Sequence, residues 1–207
     1  RARPSVVANG TLLGKVLFWD EQVSSSGTVA CGTCHIPTSG GSDPRTAALP
    51  TDSTHPGADG VFGTADDLHG SMGRILGQAD GSYAASPLFG LERQVTTRKT
   101  PSMINSASFP TLFWDGRAGP SFADPVTGAP LIPMGGALES QAAGPPVSDV
   151  EMAHLGEDWP GVAARIAAAR PLALAEDLPA DVAGFVTGRT YPELFQLAFG
   201  SPPVTPS

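Results

Sequence analysis

Cys31-Gly32-Thr33-Cys34-His35 holds both cysteines of the 207-residue chain. Two thiols separated by two residues and followed at once by histidine form the attachment pattern of a c-type haem: each sulfur adds across one vinyl group, and the imidazole ligates iron. Three other readings of the same residues are weaker. A thioredoxin-like redox pair needs a strand–helix context, whereas Ile36-Pro37-Thr38-Ser39-Gly40-Gly41 is loop-forming. A structural zinc site needs two more ligands at regular spacing, and there is no second cysteine pair. A plain Cys31–Cys34 disulfide is the bland alternative for an exported protein, and the adjacent His35 tells against it. We therefore expect one covalent haem c, with His35 as its proximal iron ligand.

Composition bounds the rest. Twenty-five glycines and 21 prolines make the chain loop-rich, and a buried macrocycle supplies apolar core that the side chains need not. The formal net charge of −8 counts against nucleic acid and anionic membranes as partners. No run of residues approaches the ~20 apolar positions of a membrane span. Haem attachment through cysteines takes place outside the cytoplasm, so we expect a periplasmic or extracellular location. We also expect that an export signal preceded Arg1-Ala2-Arg3-Pro4.

Apolar spacing predicts helices over residues 10–21 (Leu12, Leu13, Val16, Leu17), 148–155, 159–169 (Val162, Ile166, Ala169) and 192–199 (Leu194, Phe195, Ala198, Phe199). A short helical turn over 29–35 would present Cys31, Cys34 and His35 together. Residues 37–87 are rich in Gly, Asp, Ser and Pro and read as one long functional loop. Within it, Asp59-Gly60-Val61-Phe62-Gly63-Thr64-Ala65-Asp66-Asp67 gathers carboxylates but lacks EF-hand spacing. Solvated turns are the first reading there and calcium the second. Convincing strands are absent, so the predicted class is mainly α: a cytochrome c-like haem domain with long Gly/Pro-rich loops, residues 1–207 forming a single domain.

Six segments occur in an order that resembles the bacterial di-haem cytochrome c peroxidase family, which includes the MauG-like enzymes. They are residues 13–20 (LGKVLFWD), 31–35, 98–105 (RKTPSMIN), 113–118 (FWDGRA), 138–145 (LESQAAGP) and 191–200 (YPELFQLAFG). The resemblance implies the N-terminal domain that carries the peroxide-reacting haem, with Glu139 at the position of the catalytic glutamate. The sixth iron position is either vacant or, as in family members whose resting state is closed, taken by a histidine from the loop after the CxxCH motif, for which His55 is the first candidate and His69 the second, each by itself reading as a solvated loop histidine. Met72 is a further candidate for that position, and His154 reads as a surface or packing residue. Arg98 and Arg117 are expected to hold haem propionates. Trp114, Asp115 and Arg117 read either as a charged cluster beside the haem or as a buried tryptophan locking a turn. The region around Pro101 and Asn105 resembles the surroundings of the family's interdomain calcium.

Departures from the family pattern matter too. A second CxxCH, carried in the family by a second domain, is absent from these 207 residues, so the end at Pro203-Val204-Thr205-Pro206-Ser207 reads as an interruption. The stretch from Ala118 to Ala137 is longer than in the simplest members, and Leu112 stands where the family often has glutamine. Two functions follow. One is an enzyme that reduces hydrogen peroxide, with Glu139 shuttling protons and electrons arriving from a redox partner or a second haem-bearing domain or chain. The other is an electron-transfer cytochrome c subunit with a closed, six-coordinate haem. A MauG-like oxidase acting on a protein or organic substrate would share the first chemistry.

Overall fold

The computed structural model describes residues 8–47 and 49–200; the chain start at Arg1 to Pro4 and the end at Pro203 to Ser207 lie outside the described residues. The helices are α1 (Ala8–Trp19), α2 (Cys31–Cys34), α3 (Ala137–Ala142), α4 (Trp159–Ala168), α5 (Ala180–Val186) and α6 (Tyr191–Phe199). Two antiparallel ribbons pair β1 (Thr54–His55) with β2 (Leu68–His69), and β3 (Phe122–Ala123) with β4 (Pro130–Ile132). Strands of two or three residues leave the class mainly α, as the sequence predicts. The chain divides into two compact units, Arg1–Cys31 with Pro160–Ser207, and Gly32–Trp159.

The first unit is an apolar helix cluster. Leu13 and Val16 of α1, three residues apart, are buried with Val182, Phe185 and Val186 of α5 and with Tyr191, Leu194 and Ala198 of α6. The helix α6 starts where expected, because Glu193 accepts hydrogen bonds from the Thr190 amide and hydroxyl (2.7 and 2.8 Å) with Pro192 in the first turn. Gly200, at φ 74°, ends it. Phe199 departs from the predicted apolar face: it is 64 % exposed. The helix α5 was not anticipated, although Val182, Phe185 and Val186 have helical spacing; Gly184 interrupts a run already flanked by prolines.

At the end of α1, Asp20 is 1 % exposed. Its carboxylate accepts from the Gln22 amide (2.9 Å), the Leu172 amide (2.7 Å) and the Tyr191 hydroxyl (2.6 Å). One buried side chain thereby ties α1 to the segment after α4 and to the start of α6. Burial, reinforced by this contact with Asp20, pushes the Tyr191 hydroxyl well above its ordinary pKa.

The second unit is built differently. Its interior contains Asp43, Ser53, Thr54, Ser71, Arg74, Ser86 and Gln94 beside Leu76, Val95, Met152 and Ala153, so hydrogen bonds do much of the work that apolar contacts do in the first. At Gly70, an added Cβ would lie 1.6 Å from the Thr96 carbonyl oxygen; only glycine permits this approach. The helix expected over 148–155 does not form. The amides of Glu151, Met152 and Ala153 all turn back onto the single Ser148 carbonyl (3.1, 2.9 and 2.8 Å). A helix would need the acceptor to advance one residue for each donor. His154 accordingly lies outside any helix, its Nδ1 2.9 Å from the Leu155 carbonyl and its Nε2 3.2 Å from Glu157, in keeping with a packing role.

Replacing Asp20 with Ala should cost roughly 3 kcal/mol or more, because it strands a buried amide and a buried hydroxyl; Tyr191→Phe should cost about 1–2 kcal/mol. Urea unfolding measures both. Since the Tyr191 pKa is raised on folding, its contribution is full below about pH 10 and is lost as pH rises above it. The alkaline loss of stability should therefore be smaller in Tyr191→Phe.

Candidate functional site

Cys31 and Cys34 are the first and last residues of α2, a single helical turn, which sets them three residues apart on one face. Both are thiols. His35 follows immediately, with Nδ1 3.0 Å from the Gly41 carbonyl oxygen. A carbonyl only accepts, so Nδ1 carries a proton; in the neutral ring this is the tautomer suited to iron ligation through Nε2. Two thiols one turn apart beside an imidazole in this tautomer fit a covalently attached haem.

The acceptor is itself held in place. Gly41 has φ 73°, and an added Cβ would lie 2.8 Å from Met103 Cγ, so a side chain there would displace the loop that orients His35. Ser42 donates to the Thr100 carbonyl (2.8 Å), and Ser102 donates to the Gly40 carbonyl (2.6 Å). The 98–105 segment thus grips the loop from both sides of Gly41.

Asp43 and Arg45 belong to the same neighbourhood and carried no sequence expectation. Asp43 is fully buried. Arg45 donates to both of its carboxylate oxygens (2.8 and 2.9 Å), and Ser53 donates to one of them (3.1 Å). The rest of the guanidinium reaches the haem motif: Nη2 donates to the Thr33 carbonyl (3.0 Å) and lies 4.0 Å from Cys34 Sγ, and Nη1 lies 3.4 Å from Met72 Sδ. Burial pushes the Asp43 carboxyl up, but the hydrogen bonds from Arg45 and Ser71 outweigh it and hold it down at about 2. Burial likewise raises the Cys34 thiol, against the lowering influence of Arg45. That thiol donates to the Met72 carbonyl (3.4 Å).

The two candidate distal histidines share the β1–β2 ribbon in a register that separates them. Thr54 lies opposite His69, and His55 opposite Leu68. Directly opposed residues share a face, so His55 and His69 point to opposite faces. His69 is exposed, and His55 is half-buried with its ring edge-on to Phe89 (4.7 Å between centroids). The Gly57 amide donates to His55 Nδ1 (3.2 Å), which leaves the ring proton on Nε2, the tautomer opposite to that of His35.

Glu139 is on α3, and its Oε2 is buried without a hydrogen-bond partner. The long 118–137 stretch folds back as the β3–β4 ribbon and seats this helix. At Gly136 an added Cβ would meet Phe122 and Ile132 at 2.9 and 3.2 Å, and the Gly136 amide donates to Pro120 (2.7 Å). Glu139 is not among the residues lining the adjacent cavity of about 330 Å³, which include Phe113, Arg117, Ser140, Gln141 and Glu151. Glu151 is a second carboxyl that sequence reasoning missed. Burial raises its pKa, with Arg117 partly opposing.

Arg98 and Arg117 come together on Asp115, each in an ion pair with it. Arg98 stacks over Trp114 (4.9 Å to the ring centroid) and Arg117 over Phe113 (3.5 Å). Trp114 is 84 % exposed, which overturns its reading as a buried lock: its ring lies on the surface with Arg98. In the acidic loop the carboxylates serve turns. Asp66 accepts from the amides of Ala58 and Asp59 and from Thr64, Asp59 from Val61, and Asp67 from Gly63. Among the described residues no group of three or more His, Cys, Asp or Glu side chains is disposed to hold a metal ion. No helix there is long and apolar enough to cross a membrane.

Comparison with known proteins agrees with the order of motifs. Residues 8–207 match the family described as di-haem cytochrome c peroxidase. The methylamine utilization protein MauG of Methylophilus methylotrophus is 31 % identical over 106 residues, 51 % of this chain and 20 % of that protein. MauG of Methylorubrum extorquens is 54 % identical over 37 residues, 18 % of this chain and 10 % of that protein. The matches thus span a fifth or less of the length of these curated relatives.

The carboxyls of buried Asp43 and half-buried Glu151 should respond to pH in opposite directions. Asp43, with its pKa depressed, contributes about 2 kcal/mol above pH ~4 that is lost as pH falls towards 2, so acid unfolding should be less steep in Asp43→Asn. Glu151, with its pKa raised, costs stability as pH rises through its ionisation, so Glu151→Gln should stabilise more at pH 8 than at pH 5. Denaturant midpoints across this range test both.

Proposed function

The chain belongs to the di-haem cytochrome c peroxidase family, and on that premise we propose that residues 1–207 form one haem c domain that reduces hydrogen peroxide outside the cytoplasm. The observation that carries the reading is the tautomer of His35, enforced by the Gly41 carbonyl directly after the paired thiols of α2. Cys31 and Cys34 would hold the haem through thioethers and His35 Nε2 would ligate it. When bound, the group supplies an iron centre that takes up and releases single electrons.

The chain's own residues handle position and protons. The Gly41 carbonyl fixes the His35 ring and makes its ligating nitrogen more basic. Glu139, whose Oε2 is buried without a donor, accepts a proton from one peroxide oxygen and returns it to the other. Overall, hydrogen peroxide takes two electrons and two protons and leaves as two waters. The electrons come from a second haem-bearing domain or chain or from a separate redox protein. Arg98 and Arg117, pre-ordered on Asp115, are suited to haem propionates. His55 is the better placed of the distal candidates, since it is half-buried where His69 is exposed. Ligation through its Nε2 requires the Gly57 hydrogen bond to break and the ring proton to move.

Optical spectra of the ferric and reduced protein, with haem-to-protein stoichiometry, test this before and after one equivalent of peroxide. We expect one haem with a high-spin ferric spectrum that changes on adding peroxide. A low-spin spectrum indifferent to peroxide would instead make the domain an electron carrier with a closed haem. Glu139→Gln should slow the peroxide reaction by about 10²–10⁴-fold while leaving the resting ferric spectrum unchanged.

A further inference from the structure

We propose that Arg45, anchored by the fully buried Asp43, is a positioning residue for the haem-attachment turn and places a fixed positive charge beside the Cys34 sulfur, shifting the haem towards its reduced form. The inference rests on the reading of Cys31, Cys34 and His35 as a haem-attachment site.

Three features of the geometry argue for it. First, the guanidinium is preset: both Asp43 oxygens are engaged by Arg45, in a planar fork that lysine could not reproduce. Second, the same group touches the pentapeptide at its backbone and at a sulfur. Nη2 donates to the Thr33 carbonyl between the two cysteines and stands 4.0 Å from Cys34 Sγ. That carbonyl lies in the one-turn helix α2, so Arg45 braces the turn that carries both cysteines. Third, the partner that holds the guanidinium is itself held: Asp43 is fully buried and accepts from Ser53 at 3.1 Å.

The consequence is electrostatic. A haem gains one electron on reduction and carries one more positive charge when oxidised, so a nearby fixed cation disfavours the oxidised form. Ion pairing to a fully buried partner keeps that cation from swinging into solvent. Arg45 also lies near Met72 Sδ (3.4 Å), which engages the sulfur that sequence reasoning had considered as an iron ligand.

The test is an equilibrium redox titration of the full haem-bearing protein, followed by absorbance, together with haem-to-protein stoichiometry. Wild type, Arg45→Gln, Arg45→Lys and Asp43→Asn are compared. At a potential that half-reduces wild type, Arg45→Gln should lower the reduced-to-oxidised ratio roughly tenfold, ~59 mV for a one-electron couple. Arg45→Lys, which keeps the charge and loses the fork, should stay within about threefold of wild type, with less haem attached per chain. Asp43→Asn, which removes the opposing charge, should move the ratio the other way. Arg45→Gln and Arg45→Lys shifting together, or neither shifting, would overturn the proposal. If Arg45→Gln fails to fold, an Asp43→Asn protein that moves towards the oxidised side or not at all overturns it equally. Wild-type protein lacking covalent haem would overturn the haem reading itself, a result distinct from unaltered titration of haem-bearing variants.

Discussion

A carboxylate removed from water must be given hydrogen-bond donors or surrender its charge, and each unit of this protein is organised around one such group. In the helical unit Asp20 accepts from Gln22, Leu172 and Tyr191, elements far apart in sequence. In the other unit Asp43 accepts from Arg45 and Ser53. Neither carboxylate is a candidate for chemistry. Each fixes the position of something else: the ends of helices in one case, and the turn bearing Cys34 and His35 in the other.

Orientation of His35 follows from the same economy of polar groups. Its ring is set by a backbone carbonyl, that carbonyl by a glycine in a left-handed conformation, and the loop by Ser42 and Ser102. The 98–105 segment, recognisable in sequence as a family motif, therefore acts through backbone hydrogen bonds on the loop after the haem motif. Its Arg98 does something separate, joining Arg117 on Asp115. A motif defined by residue identity turns out to serve two physical tasks.

The contrast between His35 and His55 shows how a hydrogen-bond partner separates chemically identical side chains. Both offer Nδ1 to the backbone, but one faces a carbonyl and the other an amide. In the neutral rings the proton accordingly lies on opposite nitrogens, Nδ1 in His35 and Nε2 in His55. The carboxyls differ too: Glu139 holds an unpaired buried oxygen, whereas Glu151 is half-buried and lines the cavity with Arg117.

Local chemistry was legible in the sequence: the CxxCH pattern, the helices whose apolar residues recur at three or four positions, and the order of motifs that identifies the family. These depend on residues near one another along the chain, where spacing alone determines geometry. Long-range pairing was not legible. Arg45 looks like an ordinary loop arginine until Asp43, Thr33 and Met72 surround it, and Glu151 looked helical until three amides converged on one carbonyl. Of the two readings of Trp114, the buried one fails because its ring is exposed; burial is a property of what packs against a residue and not of the residue. Sequence thus determined which groups could hold a haem, and tertiary structure decided which way each of them faces and what charge stands beside it.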